Sequence, residues 1–180
     1  MSKTNPNDIS PEDAALAYLQ LRPEDIIDAV QSVGHRCDGR LLALNSYENR
    51  VYQIGLEDAG FIVAKFYRPA RWSDAAILEE HAFCKELAAD EIPVVPPLES
   101  GGETLHRRKG FRFALFECRS GRAPELDNMN LLAQVGRLIG RIHLRGETAD
   151  FTHRPTLNIQ SFGIDSINYL LNNDFIPNDI

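Results

Sequence analysis

Cysteine is scarce in this chain. Cys37, Cys84 and Cys118 are spread over 180 residues with no C-x-x-C spacing. An odd number so far apart argues against a disulfide framework and against a structural zinc site, and makes a reducing cytoplasm the expectation. Long apolar runs are missing: none approaches the roughly 20 residues that span a bilayer. The opening MSKTNPNDISPEDAA also lacks the apolar core of a secretion signal. No membrane partner is therefore expected. Positive charge is short as well, with 19 Lys and Arg against 26 Asp and Glu and a formal charge of −7. That balance gives no general field for nucleic acid, although a nucleotide site needs only a few local donors. There is no G-x-G-x-x-G fingerprint, no internal repeat and no low-complexity tract.

What is present suits a soluble globule: 43% of residues are apolar and 25% charged, enough for one ordinary domain or a small lobe with part of another. Ser10-Pro11-Glu12-Asp13 and Pro23-Glu24-Asp25 each read as a helix start, and Ile26, Ile27, Val30 and Val33 form a stripe that Gly34 ends. Strands are predicted at about 39–44, 50–56 and 60–67, with Glu57–Gly60 as a hairpin turn. A helix capped by Ser73 then runs to about Ala89, its stripe carried by Ile77, His81, Cys84, Leu87 and Ala88. Pro93 and Pro96-Pro97 bracket an extended piece, and Phe111, Phe113 and Leu115 alternate in a strand of about 110–117. Between them His106-Arg107-Arg108-Lys109 reads as a solvated hairpin tip rather than an anion site. After a polar connector, Asp127 or Asn128 caps a second long helix with a stripe of Leu131, Val135, Leu138, Ile139 and Ile142. Gly136 and Gly140 are expected to allow close backbone approach on it, and a short helix is expected near 161–172. The whole is α+β: a mostly antiparallel sheet with one inserted helix, followed by a helical region.

Lys65 carries the chemistry. It stands in Val63-Ala64-Lys65, close to the V-A-I-K of many protein kinases, whose ammonium contacts nucleotide phosphates and is positioned by a helix carboxylate. On the next helix Glu80 borders the apolar stripe, where a carboxylate needs a partner; Glu79, the second choice, points further out. The loop NSYEN between the first two strands lacks glycine. Ser46 offers a hydroxyl in its place, and Asn45 or Asn49 tolerates tight turn geometry.

LNSYENRVYQ, VAKFYRPARW, ILEEHAF and HRPT together resemble the bacterial stress response kinase A family over about residues 23–180. These are cytoplasmic serine/threonine protein kinases with an aminoglycoside-phosphotransferase-like fold. The resemblance implies a protein-kinase-like N-lobe with one αC-type helix, followed by the start of a helical C-lobe. By the same resemblance Ser46 lies in the ATP-binding loop, Lys65 is the phosphate-binding lysine and Glu80 its helix partner. Phe116, Glu117 and Cys118 match the hinge beside adenine, and GRLIGRIH at 136–143 matches the first helix of the larger lobe. ATP and Mg2+ are the implied cofactors, proteins with Ser or Thr hydroxyls the implied substrates, and a monomer the implied state. The implied biological role is protection under envelope or oxidative stress.

The division expected is a helical extension over 1–34, an ATP-binding lobe over 35–118, and a hinge with an incomplete helical lobe over 119–180. The family's catalytic H-G-D…N loop and later metal-binding aspartate do not occur, and at His153 the kinase-like H-R-D is H-R-P, with Pro155 in the aspartate's place. The chain accordingly reads as an N-terminal fragment, with no catalytic or metal-binding residue of its own and inactive alone. Two other readings stay open: a kinase of aminoglycoside, choline or homoserine-like alcohols, and a non-catalytic nucleotide-binding domain if the chain ends at Ile180.

Overall fold

The computed structural model describes residues 16, 21–58, 60–173 and 175. The helix start expected at Ser10–Asp13 lies outside the described residues. The first helix whose ends both lie among the described residues, α1 (Pro23–Gln31), opens with proline where the N–H is dispensable. The Asp25 carboxylate folds back to accept the N–H and the Nε–H of Arg22. Ile26, Ala29 and Val30 face inward, and Gly34, at φ +97°, turns the chain away.

Five strands follow: β1 (Cys37–Leu44), β2 (Arg50–Leu56), β3 (Phe61–Phe66), β4 (His106–Arg108) and β5 (Phe111–Glu117). They form one antiparallel sheet in the order β1-β2-β3-β5-β4. Strand parity divides the sheet into two faces. Ile54, Ile62, Ala64, Phe66, Phe113 and Leu115 are buried on one face with the apolar stripe of α1. The Phe66 and Phe113 rings stack there, 5.4 Å apart. On the other face Tyr67, Ala114 and Ile77 make a second, smaller core beneath α2 (Asp74–Ala89). Ser73 caps α2 as expected, its hydroxyl oxygen accepting the Ala76 N–H at 3.1 Å.

The structure adds partners to two stretches in the middle of the chain. The basic run lies on an exposed hairpin, as expected: His106–Arg108 forms β4, and Lys109-Gly110 is the turn, both residues at positive φ as a tight hairpin requires. Arg108 grips Asp28 with two bonds of 2.9 Å and Lys109 reaches Asp25 at 2.8 Å, so the run ties the sheet to α1. The proline-bracketed piece contributes no strand, only an isolated bridge of Pro97 to Phe116.

Helix α3 (Met129–Gly146) is capped by Asn128, whose Oδ1 accepts the Leu131 N–H at 3.1 Å. Its stripe at Leu131, Val135, Leu138 and Ile142 is only half-buried. It meets the end of α2 through Arg145 to Glu86 at 3.1 Å and Arg141 to the Asp90 carbonyl at 2.7 Å. The close approach expected at Gly136 and Gly140 is not found: a Cβ at either would meet nothing within 4 Å. A five-residue π turn, Gln160–Ile164, leads into α4 (Asp165–Asn172). Among the described residues no helix is long and apolar enough to cross a membrane.

Candidate nucleotide site

The parity that buries Ile62, Ala64 and Phe66 against α1 leaves Lys65 on the opposite face, under α2. Glu80 lies one turn after the buried Ile77, so its carboxylate reaches down to the strand. Lys65 Nζ donates to Glu80 Oε1 at 2.9 Å, with both side chains mostly shielded (22% and 30% exposed). The ammonium also lies 4.8 Å from the centre of the Tyr67 ring. Behind it runs a buried polar line: Tyr67 Oη meets His81 Nε2 at 2.6 Å, and His81 Nδ1 meets Thr104 Oγ1 at 2.8 Å. Burial holds the Tyr67 phenol protonated and pushes the His81 imidazole down to about 4. A neutral ring satisfies the line, one ring nitrogen donating and the other accepting, since both hydroxyls can do either.

Glu80 also holds a second cation, Arg154, through Oε2. The Arg154 guanidinium lies over the Trp72 ring at 4.6 Å, and its Nε donates to the Ala76 carbonyl at 3.2 Å. Glu79, expected to point outward, instead accepts the backbone N–H groups of Thr152, His153 and Arg154. Burial presses its carboxyl toward protonation, but those bonds outweigh it and hold the group below the usual carboxylate range. The HRPT segment is therefore docked on α2.

The loop between β1 and β2 is pinned from below. Trp72 Nε1 donates to Glu48 Oε1 at 2.6 Å and Arg71 Nε to Glu48 Oε2 at 3.1 Å. Asn49 Oδ1 accepts the Arg68 N–H at 3.2 Å, so Asn49 serves through its side chain and not through a left-handed backbone. Ser46 is exposed at the loop tip, where its hydroxyl donates to the Asn49 carbonyl. Arg112 fixes the connector that carries Trp72, donating to the Trp72 carbonyl at 2.7 Å and to Asp74 at 2.9 Å.

The register adds an apolar bed. Leu42, Gln53, Val63 and Phe116 form one row across the sheet; Leu44, Val51, Lys65 and Ala114 form the next. Both rows share the face of Lys65, and Leu42 is 58% exposed there. Of the three residues expected at the hinge, Phe116 lies in the first of these rows. Glu117 has the opposite parity and pairs with Arg119, and Cys118 is exposed just beyond the strand. Leu42, Val51 and Val63 were missed in the sequence, although counting by twos from Lys65 along β3 and across its register finds them. Arg154, Trp72 and Glu48 had no local signal, since each acquires its role from a partner far along the chain.

The arrangement can hold an anion at Lys65 and a flat apolar group beside it. Among the described residues there is no group of three or more His, Cys, Asp and Glu side chains that could hold a metal ion.

Residues 40–162 match the phosphotransferase enzyme family. Stress response kinase A of Escherichia coli O157:H7 is 45% identical over 152 residues, which is 84% of this chain and 46% of that protein. Serine/threonine protein kinase RdoA of Salmonella typhimurium is 45% identical over 150 residues, 83% of this chain and 46% of its own length. The chain thus spans about half the length of the curated relatives it matches. The solved structure of amicoumacin kinase hAmiN in complex with AMP-PNP, Ca2+ and Ami superposes with a TM-score of 0.68 at 16% identity, over 92% of this chain and 57% of that one. That likeness establishes the fold as α+β and kinase-like.

Proposed function

The chain belongs to the phosphotransferase enzyme family, and from that premise we propose that it supplies the ATP-gripping part of a serine/threonine protein kinase. The observation that carries the reading is the Lys65–Glu80 pair at 2.9 Å, formed beside a partly exposed row of Leu42, Gln53, Val63 and Phe116. In this reading the Lys65 ammonium donates to phosphate oxygens while Glu80 fixes its direction. Leu42, Val63 and Phe116 form the bed for the adenine, with the chain of Glu117 and Cys118 at its edge. The Ser46 loop lies over the phosphates, held in place by Glu48 and Asn49. ATP supplies the phosphoryl group that a Ser or Thr hydroxyl accepts. Mg2+ would be held by residues other than those of this site. A monomer working in the cytoplasm, with the lobe division at about residue 118, completes the reading.

Protein hydroxyls are favoured over small alcohols because the relatives at 45% identity carry the names stress response kinase A and serine/threonine protein kinase. The amicoumacin kinase resembles this chain in fold alone at 16% identity. A calorimetric titration of the 180-residue chain with AMP-PNP tests the nucleotide site: binding that Lys65→Ala abolishes supports it, and binding indifferent to Lys65→Ala sinks it. The chain by itself is expected to transfer no phosphoryl group. Turnover by the purified chain that is lost in Lys65→Ala would overturn that expectation.

A further inference from the structure

The two oxygens of Glu80 hold different cations. Oε1 takes the Lys65 ammonium and Oε2 takes the Arg154 guanidinium, so the two bonds do not compete and Arg154 bridges without displacing the lysine. Arg154 arrives from a segment 74 residues further along the chain. It also bonds the Ala76 carbonyl near the start of α2 and stacks on Trp72, whose N–H continues to Glu48 in the loop over the site. One residue before Glu80, Glu79 receives the N–H groups of Thr152, His153 and Arg154, together with the Thr152 hydroxyl at 3.1 Å.

We propose that Arg154 is a positioning residue that holds Glu80 against Lys65, and that Thr152–Arg154 with Glu79 forms a clamp keeping α2 seated over the strand. The proposal rests on the nucleotide reading for its ligand, whereas the clamp concerns α2 itself. A partly exposed Lys–Glu pair is weak when it stands alone, because two long side chains must be ordered in water. A guanidinium held over an indole and bonded to a backbone carbonyl is already ordered, so it fixes the carboxylate at little further entropic cost. The backbone N–H groups on Glu79 remove the remaining freedom of the segment. Lys65 and Arg154 share the Glu80 carboxylate, while Glu79 is taken up by backbone N–H groups. The same side chains couple α2 to the loop, since Trp72 touches Arg154 through its ring face and Glu48 through its N–H.

The test combines AMP-PNP calorimetry with backbone hydrogen–deuterium exchange on the 180-residue chain. The variants are Arg154→Ala, Arg154→Lys, Glu79→Ala, and Arg154→Ala in a Glu80→Gln background. Arg154→Ala is expected to speed exchange in α2 and in 152–156 and to weaken AMP-PNP about tenfold, the scale of one charge-assisted bond. Arg154→Lys recovers part of the affinity, because an ammonium reaches Glu80 but does not stack. Glu79→Ala loosens the same segments with Glu80 intact. In the Glu80→Gln background the effect of Arg154→Ala on affinity shrinks to about twofold or less, as required if Arg154 acts through Glu80. An equal loss of affinity in both backgrounds overturns the positioning role. Unchanged exchange of α2 in both Arg154→Ala and Glu79→Ala overturns the clamp. If exchange responds as expected while no form binds AMP-PNP, the clamp stands and the nucleotide reading fails.

Discussion

Lys65 and Glu80 are 15 residues apart in the chain and 2.9 Å apart in the fold. Strand parity aims one and helical phase aims the other, and a slip of one residue in β3 would turn the lysine into the α1 core. The pair is a site device more than a fold device. Lys65→Met or Glu80→Gln is expected to weaken AMP-PNP by about 10–100-fold. The thermal midpoint should move by only about 2–4 °C, since a partly exposed pair contributes on the order of 1 kcal/mol. Calorimetry and a thermal melt on the same samples separate the two effects.

Phe66 carries the opposite weight. It is fully buried, stacked on Phe113 at 5.4 Å and edge-on to Tyr52 at 6.1 Å, and it lies on the face away from Lys65. Phe66→Ala is expected to cost about 3–5 kcal/mol in urea unfolding, because the stacked sheet and α1 cannot collapse into the space.

Ser73 sets where α2 begins. Its oxygen holds the Ala76 N–H at 3.1 Å, one turn before Glu79 and Glu80. Ser73→Ala is expected to lose about 1 kcal/mol in urea unfolding, and Ser73→Asp to keep most of it, since both Ser and Asp side chains accept that bond.

His81 gives the fold a sensitivity to acid. Burial pushes its imidazole down to about 4, from an ordinary value near 6.5. Between those values the unfolded chain binds a proton that the folded chain refuses, so stability rises with pH across the window. The contribution is complete above the ordinary imidazole value and is lost as pH falls toward 4. His106, also held low by burial, adds to the same slope. Asp25 and Asp28 work in a different window. Hydrogen bonds from Lys109 and Arg108 hold both at about 2, so the tether between α1 and β4 keeps its full effect until pH drops below the ordinary carboxylate range. Thermal midpoints are expected to decline from about pH 6.5 to about 4, with a shallower slope in His81→Gln. A midpoint that stays flat over that range would count against a buried neutral His81.

The elements were legible where local chemistry is strong. Ser73 capping, the alternation of Phe111, Phe113 and Leu115, and Gly34 beyond α1 act within a turn or a strand, and they place α2, β5 and the end of α1. The basic run was legible as an exposed hairpin but its partners were not, because charge alone does not say what lies opposite. Asp25 and Asp28 are about 80 residues earlier, and only folding brings them to Lys109 and Arg108. Glu79 was misjudged for the same reason: helical phase gives its direction, but the backbone it meets belongs to 152–154.

The sequence by itself pointed to Lys65 meeting Glu80, because the alternation that buries Ile62 and Ala64 on one face of the strand leaves Lys65 on the other, where the capped helix buries Ile77. Only the tertiary structure decided what else Glu80 would hold. Arg154 sits in an irregular segment with no period to aim it. Its place on Trp72 and Glu80 comes from long-range charge and ring contacts that exist once α2, the connector and HRPT are packed together.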